Sequence, residues 1–157
     1  MKKISEITVK PGIGLGNIKF GITESELEQF LGKPDKIIID EVFSAPVYVY
    51  NDWMTQFMFD LEMRNESDTE NRLDTITTSN PEVYLWNSKI IGKTSKEIEE
   101  LLRVNHANSI EYQDYGASLV MYCEDISMEF TFEFDKVNEI CFYIWFEEDN
   151  NTIKWPN

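Results

Sequence analysis

The sequence predicts an α+β protein made of two tandem repeats, each a helix followed by a four-stranded antiparallel sheet. Three observations support this prediction. Residues 21–31 match residues 92–102 at an offset of 71. Both copies begin with the same Thr-x-x-Glu signal for a helix start. After each helix, apolar and polar residues alternate with a period of two, which is typical of strands. We expect both helices on one sheet face, with the other face open and concave.

The two helices are predicted from their capping boxes. Thr23 with Glu26, and Thr94 with Glu97, place a hydroxyl and a carboxylate where they satisfy free amides of the first helical turn. Gly32 ends the first helix, and we expect it to form a left-handed cap. Behind each box, apolar residues fall on one helical face: Leu27, Phe30 and Leu31 in the first copy, and Ile98, Leu101 and Leu102 in the second.

Four strands are predicted after each helix. The clearest covers residues 126–134, where apolar and polar residues alternate without exception, and its counterpart covers 56–61. The other predicted strands are 36–40, 47–50 and 73–78 in the first repeat, and 109–112, 119–122 and 137–146 in the second. Residues 11–20 and 82–91 lead into the helices as short extended segments.

The domain organisation follows from these matches. We expect a single domain, residues 1–157, with repeat 1 at 10–79, repeat 2 at 81–146 and a loosely held acidic C-terminal tail at 147–157. Residues 79–81 are too few for a flexible linker, so the two halves should pack together. The pattern leaves open whether their sheets fuse edge to edge or pack face to face.

The charge balance restricts the possible partners. The chain has 29 acidic and 14 basic residues, a net charge of −15. Such a field repels nucleic acid and anionic membranes and attracts a basic protein, although solubility alone explains it equally well. We expect cytoplasmic residence, since no apolar run follows the N-terminal lysines and no segment reaches membrane length. Cys123 and Cys141 fall in predicted strands and should be free thiols.

No residue pattern points to catalysis. The glycines at 12, 14 and 16 miss the dinucleotide fingerprint, because Asn17 stands where it needs a third glycine, so they indicate a turn or bulge. His106 is the only histidine and lacks partners for a triad or metal site. The carboxylates alternate along strands, as solvent-facing residues do. We therefore predict no catalytic residue, cofactor or metal, and a protein that is not an enzyme.

Strand alternation assigns the sheet faces. Residues expected to face the helices are Phe57, Phe59, Leu61, Phe130, Phe132, Phe134, Val49, Leu119 and Met121. If the last strand keeps its period without a bulge, they are joined by Ile140, Phe142, Ile144 and Phe146. The opposite face should carry aromatic residues among carboxylates, which is the composition of a protein-binding surface. Its predicted partner-binding residues are Tyr48, Tyr50, Met58, Asp60, Tyr122, Glu129, Thr131, Glu133, Tyr143 and Trp145. A homodimer interface or internal burial would also account for this face.

The arrangement resembles the beta-lactamase inhibitor protein family. The resemblance rests on two capped helices each followed by a four-stranded meander, on Gly-x-Thr-x-x-Glu at each helix start, and on the Leu-Gly-Lys-Pro segment at 31–34. Residues 14–23 also look like the opening of small bacterial proteins of that architecture, several of them associated with toxin immunity. The resemblance implies two sheets joined edge to edge, with a concave face that grips a protein.

The function expected from these observations is non-catalytic binding. We expect an inhibitory module, of the kind of an immunity protein that occludes a basic toxin through its aromatic and acidic face. Two alternatives belong to other classes. One is a homodimeric structural or regulatory module whose sheet face covers itself, and the other is a binder of small ligands between the halves.

Overall fold

A computed structural model describes residues 7–60, 71–147 and 152–156 and confirms the α+β class. The first half contains β1 (Thr8–Lys10), β2 (Gly14–Leu15), β3 (Ile18–Lys19), α1 (Glu24–Leu31), β4 (Lys36–Ile39), β5 (Pro46–Tyr50), β6 (Thr55–Asp60) and β7 (Arg72–Thr78). The second half contains β8 (Tyr84–Leu85), β9 (Ser88–Lys89), α2 (Ser95–Val104), β10 (Ile110–Asp114), β11 (Leu119–Cys123), β12 (Met128–Glu133), β13 (Lys136–Tyr143), β14 (Trp145–Phe146) and β15 (Ile153–Lys154).

The main sheet has eight strands in the order β10-β11-β12-β13-β7-β6-β5-β4. Each half contributes a four-stranded antiparallel meander. The last strands of the two meanders, β7 and β13, pair antiparallel, with Ile76 opposite Phe142 and Thr75 opposite Tyr143. The two sheets are therefore fused edge to edge, which the sequence pattern had left open.

Each half joins its helix to its last strand in the same way. In the first half, the Gly21 amide donates to the Leu73 carbonyl at 2.8 Å, and the Leu73 amide donates to the Ile22 carbonyl at 2.9 Å. In the second, Gly92 and Val137 make the same pair of bonds, with Lys93 as the second acceptor. These bonds hold the segment before each helix against the start of the last strand of its meander, so that the helix lies across that meander.

A smaller five-stranded sheet covers the rest of the helix face. Its order is β3-β2-β1-β8-β9, and the parallel pairing of β1 with β8 connects the two halves. The predicted extended segments before the helices are thus hairpins. Their buried residues join the helices and the main sheet in one apolar core that includes Val9, Leu15, Ile18, Val83 and Leu85. This burial supplies the main stabilising free energy of the fold.

Both predicted capping boxes are present. The Glu26 amide donates to the Thr23 hydroxyl at 3.2 Å, and the Glu97 amide donates to the Thr94 hydroxyl at 3.3 Å. The predicted left-handed cap at Gly32 is wrong in detail. Gly32 has φ 80° but ψ −169°, an extended conformation at positive φ that is essentially restricted to glycine.

Several predicted strand positions need correction. Phe134 does not face the helices: it lies in the turn between β12 and β13 at φ 52° and is fully exposed. The last strand does not continue through residue 146, because the Ile144 amide donates to the Asp74 carbonyl and the chain then forms the separate β14–β15 hairpin. Phe146 is consequently exposed. The prediction for Leu61 lies outside the described residues.

The C-terminal segment is not loosely held where the structure describes it. Ile153–Lys154 forms β15 and pairs with β14. Ile153 and Trp155 pack against the core, together with Trp53 and Trp86, whose positions the sequence did not indicate. The acidic tail expected at 147–157 therefore includes an ordered strand.

Candidate functional site: the open sheet face and its central cavity

Strand register defines the face of the main sheet that points away from the helices. One row of directly opposed residues crosses all eight strands: Lys36, Val49, Gln56, Thr77, Cys141, Glu129, Tyr122 and Glu111. The neighbouring row contains Ile38, Val47, Met58, Thr75 and Tyr143. Alternate positions, such as Phe57, Ile76 and Phe142, are buried in the core. We call the surface that carries these two rows the open face.

Seven of the ten predicted partner-binding residues belong to the open face by strand register: Met58, Asp60, Tyr122, Glu129, Thr131, Glu133 and Tyr143. Tyr143 and Glu129 come from the second half, and Met58 and Asp60 come from the first. The β7–β13 pairing brings the two pairs together at the middle of the sheet.

The predicted sheet face is wrong for Tyr48 and Tyr50, which point to the helix side. The Tyr48 hydroxyl donates to Glu24 Oε2 at 3.0 Å, and the Tyr50 hydroxyl donates to the Gly32 carbonyl at 2.8 Å. Burial is the leading cause of the raised pKa of both phenols. The run of apolar residues in β5 has no alternation that separates the two faces. Val49, predicted to face the helices, lies on the open face instead.

The prediction is also wrong for Trp145. Its indole packs over Gly12, where an added Cβ would lie 2.7 Å from Cδ2 of the ring. Trp145 therefore contacts the loop between β1 and β2 and leaves the open face. The strand break at Ile144 reverses the alternation, so that Phe146 rather than Trp145 reaches the open face.

A cavity of about 270 Å³ opens at the centre of the open face. It lies over the strands where the two meanders join. Its lining is mainly apolar and includes three carboxyl groups. The lining residues are Phe43, Met58, Asp60, Asp74, Thr75, Glu129, Cys141, Tyr143, Ile144 and Phe146. Phe43 and Phe146 are half-exposed residues of its rim.

The most perturbed group in this cavity is Asp74. Asp60 and Asp74 are both buried, each 4% exposed. Desolvation, followed by repulsion from Asp60, raises the pKa of Asp74 to about 7. The Asp74 Oδ1 atom is buried and has no hydrogen-bond partner among the described residues. Asp74 therefore exchanges a proton with solvent close to neutral pH.

The remaining polar groups share the same low-dielectric surroundings. Burial raises the pKa of Glu129, and it also raises the pKa of the Cys141 thiol to about 12. Burial and the nearby Glu129 charge raise the pKa of Tyr143 to about 12. A thiol with so high a pKa is a poor nucleophile at neutral pH, since the thiolate is the reactive species. A positive charge bound in the cavity would stabilise the ionised forms of Asp74 and Glu129, whose carboxyl pKa values burial raises.

Asp74 enters the cavity because of a β-bulge. The register between β6 and β7 shifts between Met58 and Phe59, which leaves Asp74 as the extra residue between Leu73 and Thr75. Sequence reasoning missed this residue, although the two polar residues between Leu73 and Ile76 break the strict alternation of a strand. Phe43 was also missed, because it lies in the β4–β5 loop and no periodicity places it.

Both cysteines are free, as predicted. Cys123 is opposite Met128 on the helix side, whereas Cys141 is opposite Glu129 on the open face. The sheet separates the two thiols, so they cannot form a disulfide in this fold. In the described part of the chain, no cluster of three or more His, Cys, Asp or Glu residues is placed to hold a metal ion.

Comparison with known proteins gives a fold relationship alone. No family model and no curated protein matches the chain. An extracellular protein containing a SCP domain from Bacillus anthracis strain Ames is 14% identical, with a TM-score of 0.50 over 89% of this chain and 46% of that one. A DUF4309 family protein from Bacillus subtilis is 10% identical, with a TM-score of 0.45 over 78% of each chain. The chain thus spans about half of the first structure. Within the residues described, no helix has the length and apolarity to cross a membrane.

Proposed function

We propose that this protein is a non-catalytic binding protein whose open face takes a basic protein partner, in the manner of an inhibitor or immunity protein. The observation that carries the proposal is the central cavity. It combines the carboxyl groups of Asp60, Asp74 and Glu129 with an apolar rim, and the same face also carries Tyr122 and Glu111.

The cavity suits the side chain of a lysine or arginine from the partner. The methylene stem of such a residue packs on apolar walls such as Met58, Tyr143 and Phe146. Its charged head would meet Asp60, Asp74 and Glu129, and a desolvated charge pair of this kind is strong when it is hydrogen-bonded. A bound cation would also lower the pKa of Asp74, so binding should release a proton near neutral pH.

The surroundings of the cavity provide further contact area. Tyr122 lies beside Glu129 on the neighbouring strand, and its hydroxyl is 3.0 Å from the Tyr115 hydroxyl. Tyr115 is 60% exposed. Tyrosine gives a large contact area at a small cost in conformational entropy, and it is enriched among residues that dominate binding energy. The net charge of −15 would accelerate encounter with a basic protein.

The inhibitory form of this function rests on the resemblance to beta-lactamase inhibitor protein. A toxin as the target and a cytoplasmic location stay predictions. The edge-to-edge joining of the two meanders is consistent with a single gripping surface that uses both halves.

The first experiment is affinity capture from a lysate of the source organism with the wild-type protein and two charge-reversal variants. Glu129→Lys places a cation in the cavity. Glu100→Lys makes the same charge change on α2, where Glu100 pairs with Arg103 at the surface. The proposal expects a basic protein that wild type and Glu100→Lys retain and Glu129→Lys loses. Tyr143→Ala serves as a second cavity variant if Glu129→Lys proves unstable. A partner retained equally by all variants would contradict the proposal.

A defined probe tests the cavity without the partner. N-acetyl-arginine amide should shift the Met58 methyl resonance of the wild-type protein, more strongly at pH 8 than at pH 6, because Asp74 ionises over this interval. N-acetyl-leucine amide is the matched neutral control. Equal shifts with both compounds would mean that the cavity selects apolar volume rather than positive charge.

A further inference from the structure

The outer strand of the first half, β4, has an unusual edge. It is the last strand of the eight-stranded sheet, and among the described residues no strand pairs with its outer side. Its three isoleucines are exposed: Ile37 by 51%, Ile38 by 42% and Ile39 by 61%. Edge strands are normally protected by charge, proline or a bulge, since their free backbone groups are a template for pairing.

The opposite edge of the sheet is protected. Strand β10 is exposed as well, but it carries Glu111, Gln113 and Asp114, with Ile110 half-buried. Acidic residues on an edge strand discourage pairing with another strand. Strands β4 and β10 occupy equivalent places in the two halves. The apolar character of the β4 edge is therefore a property of the first half and does not follow from the architecture that the halves share.

The backbone groups of β4 that face outward can be identified. The Asp40 amide donates to the Ala45 carbonyl at 2.8 Å, which fixes the alternation of the β4–β5 ladder. Ile37 and Ile39 then fall at positions that do not bond to β5. Ile39 is opposite Pro46, which has no amide hydrogen. This agrees with a pair of residues that exchanges no backbone hydrogen bonds. The N–H and C=O groups of Ile37 and Ile39 therefore point away from the sheet.

We propose that β4 pairs antiparallel with β4 of a second copy of this chain, with Ile38 at the two-fold axis. In this register Ile37 is opposite the partner's Ile39, and each such pair exchanges two backbone hydrogen bonds. Lys36 is opposite the partner's Asp40, so the strand is complementary to itself in charge as well as in apolar surface. The pairing joins two eight-stranded sheets edge to edge and leaves the open face uncovered.

Because of the net charge of the chain, we expect added salt to stabilise this dimer. Each copy carries −15, so long-range repulsion opposes association. Added salt screens that repulsion and leaves apolar contacts intact, and the dimer should therefore become more stable. Binding of a basic protein to the open face should weaken under the same change. Salt thus separates the two kinds of association.

Single cysteines test the register directly. In the proposed pairing the two Ile38 residues form a non-hydrogen-bonded pair with Cα atoms about 4.5 Å apart, which a disulfide can bridge. The two Ile37 residues are diagonal neighbours about 7–8 Å apart, beyond easy bridging. Under mild oxidation, Ile38→Cys should give a covalent dimer, whereas Ile37→Cys and the wild type should not. Equal cross-linking of both variants, or none in either, would overturn the register.

Sedimentation equilibrium tests the association itself. We expect the wild type to shift from monomer to dimer with concentration, and more readily at high salt. Ile39→Pro should remain monomeric, because it removes one outward N–H and keeps the ladder to β5. Lys36→Glu should weaken the dimer by placing two acidic residues opposite each other. Far-ultraviolet circular dichroism checks that both variants fold. A wild type that stays monomeric at every concentration, or an Ile39→Pro variant that dimerises like wild type, would overturn the proposal.

Discussion

Asp74 and Asn138 occupy the same position in the two halves. Each follows the strand residue that bonds to the segment before its helix, Leu73 in one half and Val137 in the other. Each lies where the register shifts, between Met58 and Phe59 or between Thr131 and Phe132 on the facing strand. Each also has a buried side-chain oxygen, Oδ1, without a hydrogen-bond partner among the described residues. The same bulge thus carries an acid at the cavity and an amide in the other half.

This relationship predicts a pH-dependent stability difference. Because the folded state raises the pKa of Asp74 from 3.8 to about 7, the folded protein holds a proton that the unfolded chain releases. The stability associated with Asp74 is complete below about pH 4 and declines as pH rises to 7. Asp74→Asn should therefore be more stable than wild type at pH 8, by at most about 4 kcal/mol, and similar at pH 4.

Chemical unfolding of both proteins between pH 4 and pH 8 measures this difference. The control is Asn138→Asp, which puts an acid at the equivalent bulge and should make stability fall with rising pH in the same direction. A difference between wild type and Asp74→Asn that stays constant across the pH range would show that the carboxyl group is not protonated as described.

The tyrosines of β5 should affect stability and leave partner binding unchanged. Tyr50→Phe removes the hydrogen bond to the Gly32 carbonyl and should lower the free energy of unfolding by about 1 kcal/mol. Tyr143→Ala, on the open face, should instead reduce capture of the partner. Thermal unfolding and affinity capture on the same preparations give both readouts. Loss of partner binding in Tyr50→Phe with unchanged stability would return this residue to the binding surface.

The capping box of α2 provides a local test of the fold. Thr94→Ala removes the hydroxyl that accepts from the Glu97 amide at 3.3 Å and should cost about 1 kcal/mol of stability. Thr94→Ser keeps the hydroxyl and should cost much less. Urea unfolding monitored by circular dichroism distinguishes them. Equal losses in both variants would point to the methyl group of Thr94 rather than to its capping bond.

Two glycine substitutions can separate the cost of a clash with Trp145 from the cost of backbone strain. Gly12 and Gly116 both have positive φ, at 74° and 84°. A Cβ at Gly12 would meet the indole at 2.7 Å, whereas one at Gly116 would meet nothing within 4 Å. Gly116→Ala should cost about 1 kcal/mol, and Gly12→Ala should cost more because the indole must move. Similar losses in the two variants would mean that Trp145 adapts to the added methyl group at little cost.

The amino-acid sequence by itself determined the elements with strong local signals. Both capping boxes, the two helices and most strands of the two meanders follow from local spacing, because capping and alternation depend on neighbouring residues. For the same reason, alternation placed seven of the ten predicted residues on the open face, where polar and apolar positions alternate regularly.

Only the tertiary structure decided the rest. The face of Tyr48 and Tyr50 depends on the pairing of β5 with β6, since an unbroken apolar run carries no information on direction. The position of Trp145 depends on a strand break caused by a bond between Ile144 and Asp74, which are distant in the chain. The central cavity exists because β7 pairs with β13 and a bulge directs Asp74 into the space between them. Contacts between distant residues set these features, and local periodicity cannot encode them.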